Sequence, residues 1–165
     1  MLYLSILTTL LLSTTTFGLP SPLLPNAEDS CTPTSYTLSA YTLSISPTSA
    51  QVSFTLRSNF TNTSAIVDSV INGAQCTAAG SVIPNNNECE VDNRKLLFDL
   101  RGPQEEAYYQ ISHTWACGGS TWMSGTPLKV GPLACVDEGT ARTCSSDTQT
   151  FVPQNVRKIC GAPQC

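Results

Sequence analysis

The chain has 165 residues, a formal net charge of −4 and only 12% charged side chains. Its lysines and arginines are scattered, apart from the pairs Arg94-Lys95 and Arg157-Lys158. Since no basic stripe is available to neutralise phosphates, the composition argues against nucleic acid as a partner.

Residues 1–18 are predicted to be a cleaved signal peptide. They contain no charged side chain, and their largely apolar run over residues 2–12 is shorter than the roughly 20 apolar residues that a membrane span needs. Thr16 and Gly18 supply the small residues for cleavage after Gly18. Because no second apolar stretch is long enough to anchor the chain, we expect a secreted, extracellular protein without a membrane partner.

The remainder is predicted to consist of a flexible leader and one disulfide-rich β domain. Residues 19–30 contain three prolines and no periodicity, which is typical of a leader. Residues 31–165 hold all the cysteines, and an even number behind a signal peptide indicates disulfides formed in an oxidising compartment. The chain has no C-x-x-C motif and a single histidine, so we expect neither a metal site nor a cofactor. The eight cysteines are Cys31, Cys76, Cys89, Cys117, Cys135, Cys144, Cys160 and Cys165.

The first predicted strands lie between residues 36 and 57. In residues 36–46 the apolar positions alternate but slip by one residue between Ala40 and Tyr41, which predicts a β-bulge or a break between two short strands. The next strand alternates without interruption, and its apolar side chains are Ala50, Val52, Phe54 and Leu56.

Two glycosylation sequons follow this strand, at Asn59 and Asn62. In a secreted chain they predict a glycoprotein with a surface loop at this point. The two acceptors are too close together for both to be reliably occupied, and an unmodified polar turn is the alternative.

A turn and a disulfide loop are predicted next. Asn72-Gly73 favours a type I′ hairpin, because both central positions of that turn need a positive φ. Cys76 and Cys89 flank a polar turn at residues 84–87, and their bridge is the disulfide that we favour most. A loop of this length would stabilise the fold by about 3 kcal/mol on the loop-entropy model.

The central prediction is a pair of strands within residues 94–117. Alternation places one set of side chains on a buried face, because successive side chains of a strand point to opposite sides. The buried set is Leu96, Phe98 and Leu100 in the first strand, and Ala107, Tyr109, Ile111, His113, Trp115 and Cys117 in the second.

The remaining sequence predicts little regular structure. Gly118-Gly119 indicates a tight turn, residues 128–130 form a short strand at most, and residues 137–139 form a turn between Cys135 and Cys144. The tail over residues 153–165 has no convincing pattern. Since no long helical periodicity occurs, the predicted fold class is all-β, a small disulfide-stapled β-barrel or sandwich.

Candidate catalytic residues are few. His113 lies on the apolar face of its strand and is interpreted as a core or barrel-lining residue rather than a catalytic base. Asp99, Glu105 and Glu106 flank the central turn and could serve a small hydrolase as paired carboxylates, although solvated charges are the simpler interpretation. Tyr108, on the wetter face of the central strand, is a candidate anchor for a binding surface.

The order of these features resembles the fungal secreted proteins named for the major Alternaria allergen. The likeness covers residues 36–117, and the region from Cys135 onward does not match. The chain also has more cysteines than that family's pattern. The features that carry the resemblance are the early Cys31, the strand of Val52, Phe54 and Leu56, the loop from Cys76 to Cys89, and the strand of Leu96, Phe98 and Leu100.

The resemblance implies a compact β-barrel, monomeric or homodimeric, without an established catalytic site. It also implies links to allergenicity, to plant phenolic ligands and to plant defence proteins. In that family an early cysteine can join two subunits, but the even number of cysteines here favours an intramolecular partner for Cys31.

We therefore expect a non-catalytic, allergen-like or effector-like binding protein that contacts a host protein or a small aromatic ligand. The alternatives are a structural protein of the cell wall or surface and, with less support, a hydrolase that uses Asp99 with Glu105 or Glu106.

Overall fold

The computed structural model describes residues 30–160, which form two antiparallel sheets of six strands each. The predicted signal peptide and all but the last residue of the predicted leader lie outside the described residues, as does Cys165. Within residues 30–160 there is no helix long and apolar enough to cross a membrane.

Sheet A has the strand order β4-β2-β1-β10-β9, with β11 also paired to β1. Its strands are β1 (Ser35–Ile45), β2 (Ala50–Asn59), β4 (Ala74–Gly80), β9 (Ala134–Glu138), β10 (Ala141–Ser146) and β11 (Gln149–Phe151).

Sheet B has the order β12-β8-β7-β6-β5, with β3 also paired to β7. Its strands are β3 (Ile66–Val67), β5 (Asn87–Glu88), β6 (Leu96–Leu100), β7 (Tyr108–Cys117), β8 (Ser120–Lys129) and β12 (Arg157–Ile159). Two short 3-10 helices, Asp92–Arg94 and Gln104–Glu106, precede β6 and β7.

The core lies between the two sheets and contains side chains from both. Phe54 of β2 meets Phe98 of β6 with ring centroids 5.0 Å apart, and Tyr109 of β7 contacts both rings. A second cluster surrounds Trp115 and Trp122 near one end of sheet B. These contacts confirm the all-β prediction and show two sheets that pack through their apolar faces.

The central strand pair is confirmed. β6 pairs with β7 over five residues, and β7 alternates partly exposed and buried positions along its whole length. The inward side chains of β7 are at most 3% exposed. The period-two pattern is clear here because sheet B buries one face only.

The predicted bulge in β1 is also confirmed. Ser39 pairs with Thr55 and the next pair is Thr42 with Ser53, so Ala40 and Tyr41 together oppose Phe54. Ala40 takes a positive φ of 53°, and the extra residue returns Tyr41 to the buried face.

The type I′ hairpin predicted at Asn72-Gly73 is wrong. Gly73 alone of the pair has a positive φ, 95°, and its N–H donates to the carbonyl of Val70. The flanking strands also do not pair with each other, since β3 joins β7 and β4 joins β2. The turn therefore transfers the chain from sheet B to sheet A instead of closing a hairpin.

The second half of the chain is more regular than its sequence predicts. β8 runs for ten residues through Pro127, where we expected a short strand at most. β12 pairs with β8 only at residues 121–123, so Pro127 lies beyond the paired part of that edge and its missing N–H costs no bond to β12. The turn predicted at residues 137–139 lies at residues 139–140, since Asp137 and Glu138 still pair with β10. β12 lies in the tail for which the sequence showed no pattern.

Three disulfides join described residues. The structure bonds Cys76 to Cys89, the pair that the sequence favours, and also Cys135 to Cys144 across the β9–β10 hairpin. Cys31 bonds to Cys117 within the chain, over a sequence separation of 86 residues. Cys160 is disulfide-bonded as well.

Candidate functional site

A buried polar cluster lies where the two sheets meet. It is built from β1, β2, β7, β8 and the segment after β3, which contribute one side chain each. The members are Tyr36, Ser58, Asp68, His113 and Ser124. Strand alternation turns His113 inward between Ile111 and Trp115, so the only histidine of the chain is fully buried.

The hydrogen bonds of the cluster are complete. His113 Nε2 lies 3.0 Å from Asp68 Oδ1, and His113 Nδ1 lies 2.9 Å from the hydroxyl of Tyr36. Because a carboxylate only accepts, Nε2 carries the hydrogen of this contact. The Tyr36 hydroxyl also lies 2.6 Å from Ser124 Oγ, so every polar atom of the imidazole and the phenol has a partner.

Asp68 is held in its ionised form. Burial alone would raise the pKa of this carboxyl, but hydrogen bonds from His113, Ser58 and the backbone N–H of Val70 lower it below the ordinary value. Ser58 donates at 2.5 Å and Val70 at 2.8 Å, so both oxygens are occupied. The result is a hydrogen-bonded, charged cross-link between elements of both sheets.

The cluster resembles a catalytic triad in composition but not in arrangement. The serine hydroxyls contact Tyr36 and Asp68, and neither meets His113, so the imidazole is not placed to activate either serine. The side chains of His113 and Asp68 are 0% exposed. This geometry supports the interpretation of His113 as a core residue, with the cluster acting as a structural element.

Buried tyrosines form a second polar contact in the core. The hydroxyls of Tyr41 and Tyr109 lie 2.8 Å apart, and burial raises the pKa of both phenols, with the neighbouring ring contributing at Tyr41. Burial likewise raises the pKa of Tyr36. These three residues are therefore packing residues rather than members of a surface site.

The three candidate carboxylates have separate partners. Asp99 accepts from the backbone N–H of Asn86 at 2.5 Å and lies 3.9 Å from Arg101, while Glu106 lies 3.8 Å from Lys129. Glu105 borders a cleft that also contains Arg142. Each of these side chains thus has a cation or a backbone donor nearby, as solvated surface charges commonly do.

Two clefts among the described residues are small. One of about 180 Å³ lies beside Glu105 and the Cys135–Cys144 disulfide. Another of about 220 Å³ lies between the segment before β9 and the end of β10. Small-molecule sites are usually larger, roughly 300 to 1,000 Å³.

The outer faces of the two sheets differ in chemistry. On the outer face of β1, β2 and β4, sheet A presents hydroxyl and amide side chains together with the guanidinium of Arg57. That set is Thr37, Ser39, Thr42, Ser44, Gln51, Ser53, Thr55, Gln75 and Thr77.

Sheet B presents a mixed region of aromatic, apolar, polar and charged side chains around the start of β7, which we call the Tyr108 surface. Tyr108 is partly exposed and pairs with Lys129, and the neighbouring pair is Gln110 with Pro127. Asp99 pairs with Gln110 from the other side, and Leu97 lies one row further along β6. The structure therefore places the predicted anchor on the outer face of a rigid central strand.

The two sequon asparagines have different surroundings. We expected both in a surface loop, but Asn59 is the last residue of β2 and is partly buried, because its amide bonds to β1. Asn62 is exposed, and its side-chain oxygen accepts the backbone N–H of Ser64 at 2.9 Å.

Asp68, Ser58 and Ser124 are members of the buried cluster that the sequence did not identify, and Asp68 is the charged one. Its carboxylate is 45 residues from His113, in a polar stretch without periodicity. The sequence contains only indirect evidence for a buried acid beside His113. An inward-facing histidine requires a buried partner for each ring nitrogen, but the sequence does not show which acid supplies it.

Comparisons with known proteins give one structural likeness. No family model matches the chain, and no curated protein matches it. The crystal structure of the Alternaria alternata major allergen Alt a 1 is similar with a TM-score of 0.48 and 9% sequence identity, covering 78% of this chain and 97% of that chain. A likeness at this level does not establish membership of the family that the sequence resembles.

Proposed function

We propose that the chain is a secreted binding protein that acts without catalysis and contacts a partner protein through the Tyr108 surface. The observation that carries the proposal is the division of polar and aromatic groups in the structure. The histidine and its polar partners are enclosed in the buried cluster, whereas an aromatic ring stands partly exposed on the outer face of β7.

The character of the Tyr108 surface favours a protein over a small ligand. A rigid strand holds the tyrosine with little loss of side-chain entropy, and Lys129 and Asp99 supply charges at the rim. The clefts of about 180 and 220 Å³ are smaller than the roughly 300 to 1,000 Å³ of usual small-molecule sites. The sequence resemblance favours a plant defence protein as the partner.

Secretion belongs to the same proposal. Disulfides that bond every described cysteine are typical of proteins that fold in an oxidising compartment. The predicted signal peptide would deliver the chain to such a compartment.

The test is a binding measurement against purified plant secreted defence proteins, with Tyr108→Ala compared with the unaltered protein. We expect the Kd to rise about tenfold or more, because exposed aromatic anchors contribute most of the energy of an interface. Thr42→Ala, on the outer face of sheet A, is the matched control and should leave the Kd unchanged. Equal binding by the Tyr108→Ala protein, with an unchanged Tm, would refute the proposal.

The outer face of sheet A supports a second candidate, retention on a cell wall. Neutral polysaccharides present hydroxyl groups, and the side chains of this face can donate to them and accept from them. Co-sedimentation with insoluble wall glucan would separate the two functions. Retention that survives Tyr108→Ala and is lost on replacing Thr42 and Ser44 by valine would favour the wall.

A further inference from the structure

We infer that Asn62 is the residue of this chain that carries an N-linked glycan, and that Asn59, the neighbouring sequon, is a structural residue that stays unmodified. The inference rests on the proposed secretion, because the modification takes place in the secretory pathway. The sequence offers both sites, and the structure separates them.

The side-chain amide nitrogen of Asn59 is hydrogen-bonded to residues of β1. Nδ2 lies 3.0 Å from Thr37 Oγ1, 3.1 Å from Ser35 Oγ and 3.3 Å from the Ser35 carbonyl. These three acceptors share the two hydrogens of the amide. The backbone of Asn59 is also engaged, since its carbonyl accepts from the N–H of Thr34 at 2.7 Å. Asn59 therefore fastens the beginning of β1 to the end of β2.

A glycan at Asn59 would disrupt these hydrogen bonds between β1 and β2. Modification replaces one of the two amide hydrogens with a sugar, which leaves one hydrogen for the three acceptors. The sugar would also have to leave the nitrogen on the side that Ser35 and Thr37 occupy. A chain modified at this position would lose part of the contact between β1 and β2.

Asn62 has the opposite arrangement. Its side chain is exposed, and its oxygen is used by the N–H of Ser64. No hydrogen bond involves its amide nitrogen among the described residues, so a sugar displaces no contact there. The residues from Thr61 to Ala65 are all exposed, which leaves room for a bulky polar group.

The chemistry is a transfer from an oligosaccharide carried on a polyprenyl diphosphate. A bond forms between Asn62 Nδ2 and the anomeric carbon of the sugar, and the bond from that carbon to the diphosphate oxygen breaks. The polyprenyl diphosphate leaves with the electron pair, and the amide nitrogen loses one proton. No oxidation or reduction takes place.

The glycan would leave the Tyr108 surface accessible. The loop that contains Asn62 leads into β3, which pairs with the Cys117 end of β7. Tyr108 is at the opposite end of this ten-residue strand, about 30 Å away at the usual rise per residue.

The test uses the full chain expressed in a eukaryotic secretory host, with the product taken from the medium. Two variants remove one sequon each without changing either asparagine: Thr61→Ala for Asn59 and Ser64→Ala for Asn62. Both altered side chains are exposed, so neither change should affect folding. Intact mass before and after peptide N-glycosidase, with fragmentation of the peptide over residues 58–94, locates the glycan.

We expect the Thr61→Ala protein to keep its glycan and the Ser64→Ala protein to lose it completely. Loss of the glycan in Thr61→Ala, or its survival in Ser64→Ala, would overturn the assignment. A secreted product without a glycan would overturn this inference alone, whereas a chain retained in the cell without a glycan would overturn the proposed secretion as well.

Discussion

The buried carboxylate of Asp68 makes the stability of the fold depend on pH. The pKa of Asp68 lies below its ordinary value of 3.8 in the folded protein. A carboxyl whose folded pKa is depressed contributes stability that is present above its unfolded pKa and lost as the pH falls through the folded pKa. The stability that Asp68 contributes to the fold should therefore be complete at neutral pH and lost in acid.

Asp68→Asn tests this contribution. We expect the substitution to lower the free energy of unfolding by about 2 kcal/mol at pH 7, because hydrogen bonds to a charged group are lost. Urea unfolding measured from pH 7 downward, with disulfides intact, should show the difference between the two proteins shrinking once the pH falls below about 4.

Asp147→Asn is the control, since that carboxyl is exposed. It should change the free energy of unfolding by less than about 0.5 kcal/mol at any of these pH values. A difference between Asp68→Asn and the unaltered protein that stayed constant into acid would show that packing, and not charge, explains the loss.

At the scale of elements, the bulge in β1 determines which side chains of that strand enter the core. Without the extra residue, Tyr41 and Leu43 would face solvent, because a shift of one residue exchanges the two faces of a strand. The bulge depends on Ala40, whose φ of 53° is unfavourable for a residue with a side chain and worse for one branched at Cβ.

Substitutions at Ala40 should follow this backbone requirement. We expect Ala40→Val to lower the free energy of unfolding by about 1 to 2 kcal/mol, since the strained conformation becomes costlier. Ala40→Gly should be neutral or slightly stabilising, because glycine adopts a positive φ readily. Thermal or urea unfolding ranks the stabilities of the two Ala40 variants and the unaltered protein. Thr42→Val, at an exposed position of the same strand, should cost little, and an equal loss there would contradict the role of the bulge.

The elements that could be predicted from sequence are those with one wet face and one apolar buried face, which excludes β8, since that strand buries Ser124 and Thr126. β1, β2, β6 and β7 meet this condition, and even the bulge of β1 left a visible slip in the alternation. β9, β10 and β12 have mostly exposed positions, so burial imposes little alternation on them. Their positions are set by pairing with distant strands, which a local pattern does not record.

At the scale of the whole molecule, the site was less predictable than the fold for the same reason. The alternation of β7 places His113 inside and Tyr108 outside, and the structure agrees. The partners of His113, however, come from β1 and from the segment after β3, at sequence separations of 77 and 45 residues. Such contacts follow from how the two sheets pack, which only the assembled structure provides.

The disulfides should differ in their contribution to the whole fold. Cys31–Cys117 closes a loop over a separation of 86 residues and ties the start of the described chain to β7, where the Trp115 indole donates to the Cys31 carbonyl at 2.9 Å. Cys135–Cys144 spans a separation of 9 residues within one hairpin. A longer loop gives the unfolded chain more entropy to lose when it is cross-linked.

Paired alanine substitutions should therefore rank these bridges. On the loop-entropy model we expect Cys31→Ala with Cys117→Ala to cost about 4 to 5 kcal/mol, and Cys135→Ala with Cys144→Ala about 2 to 3 kcal/mol. Urea unfolding of the two double variants, each compared with the unaltered protein, gives the two losses. Both bridges lie in hydrophobic clusters, since Cys144 belongs to the main core and Cys31 and Cys117 pack beside Trp115, so each double variant also removes buried contacts. Equal losses would mean that local strand pairing, and not the length of the closed loop, determines what each disulfide contributes.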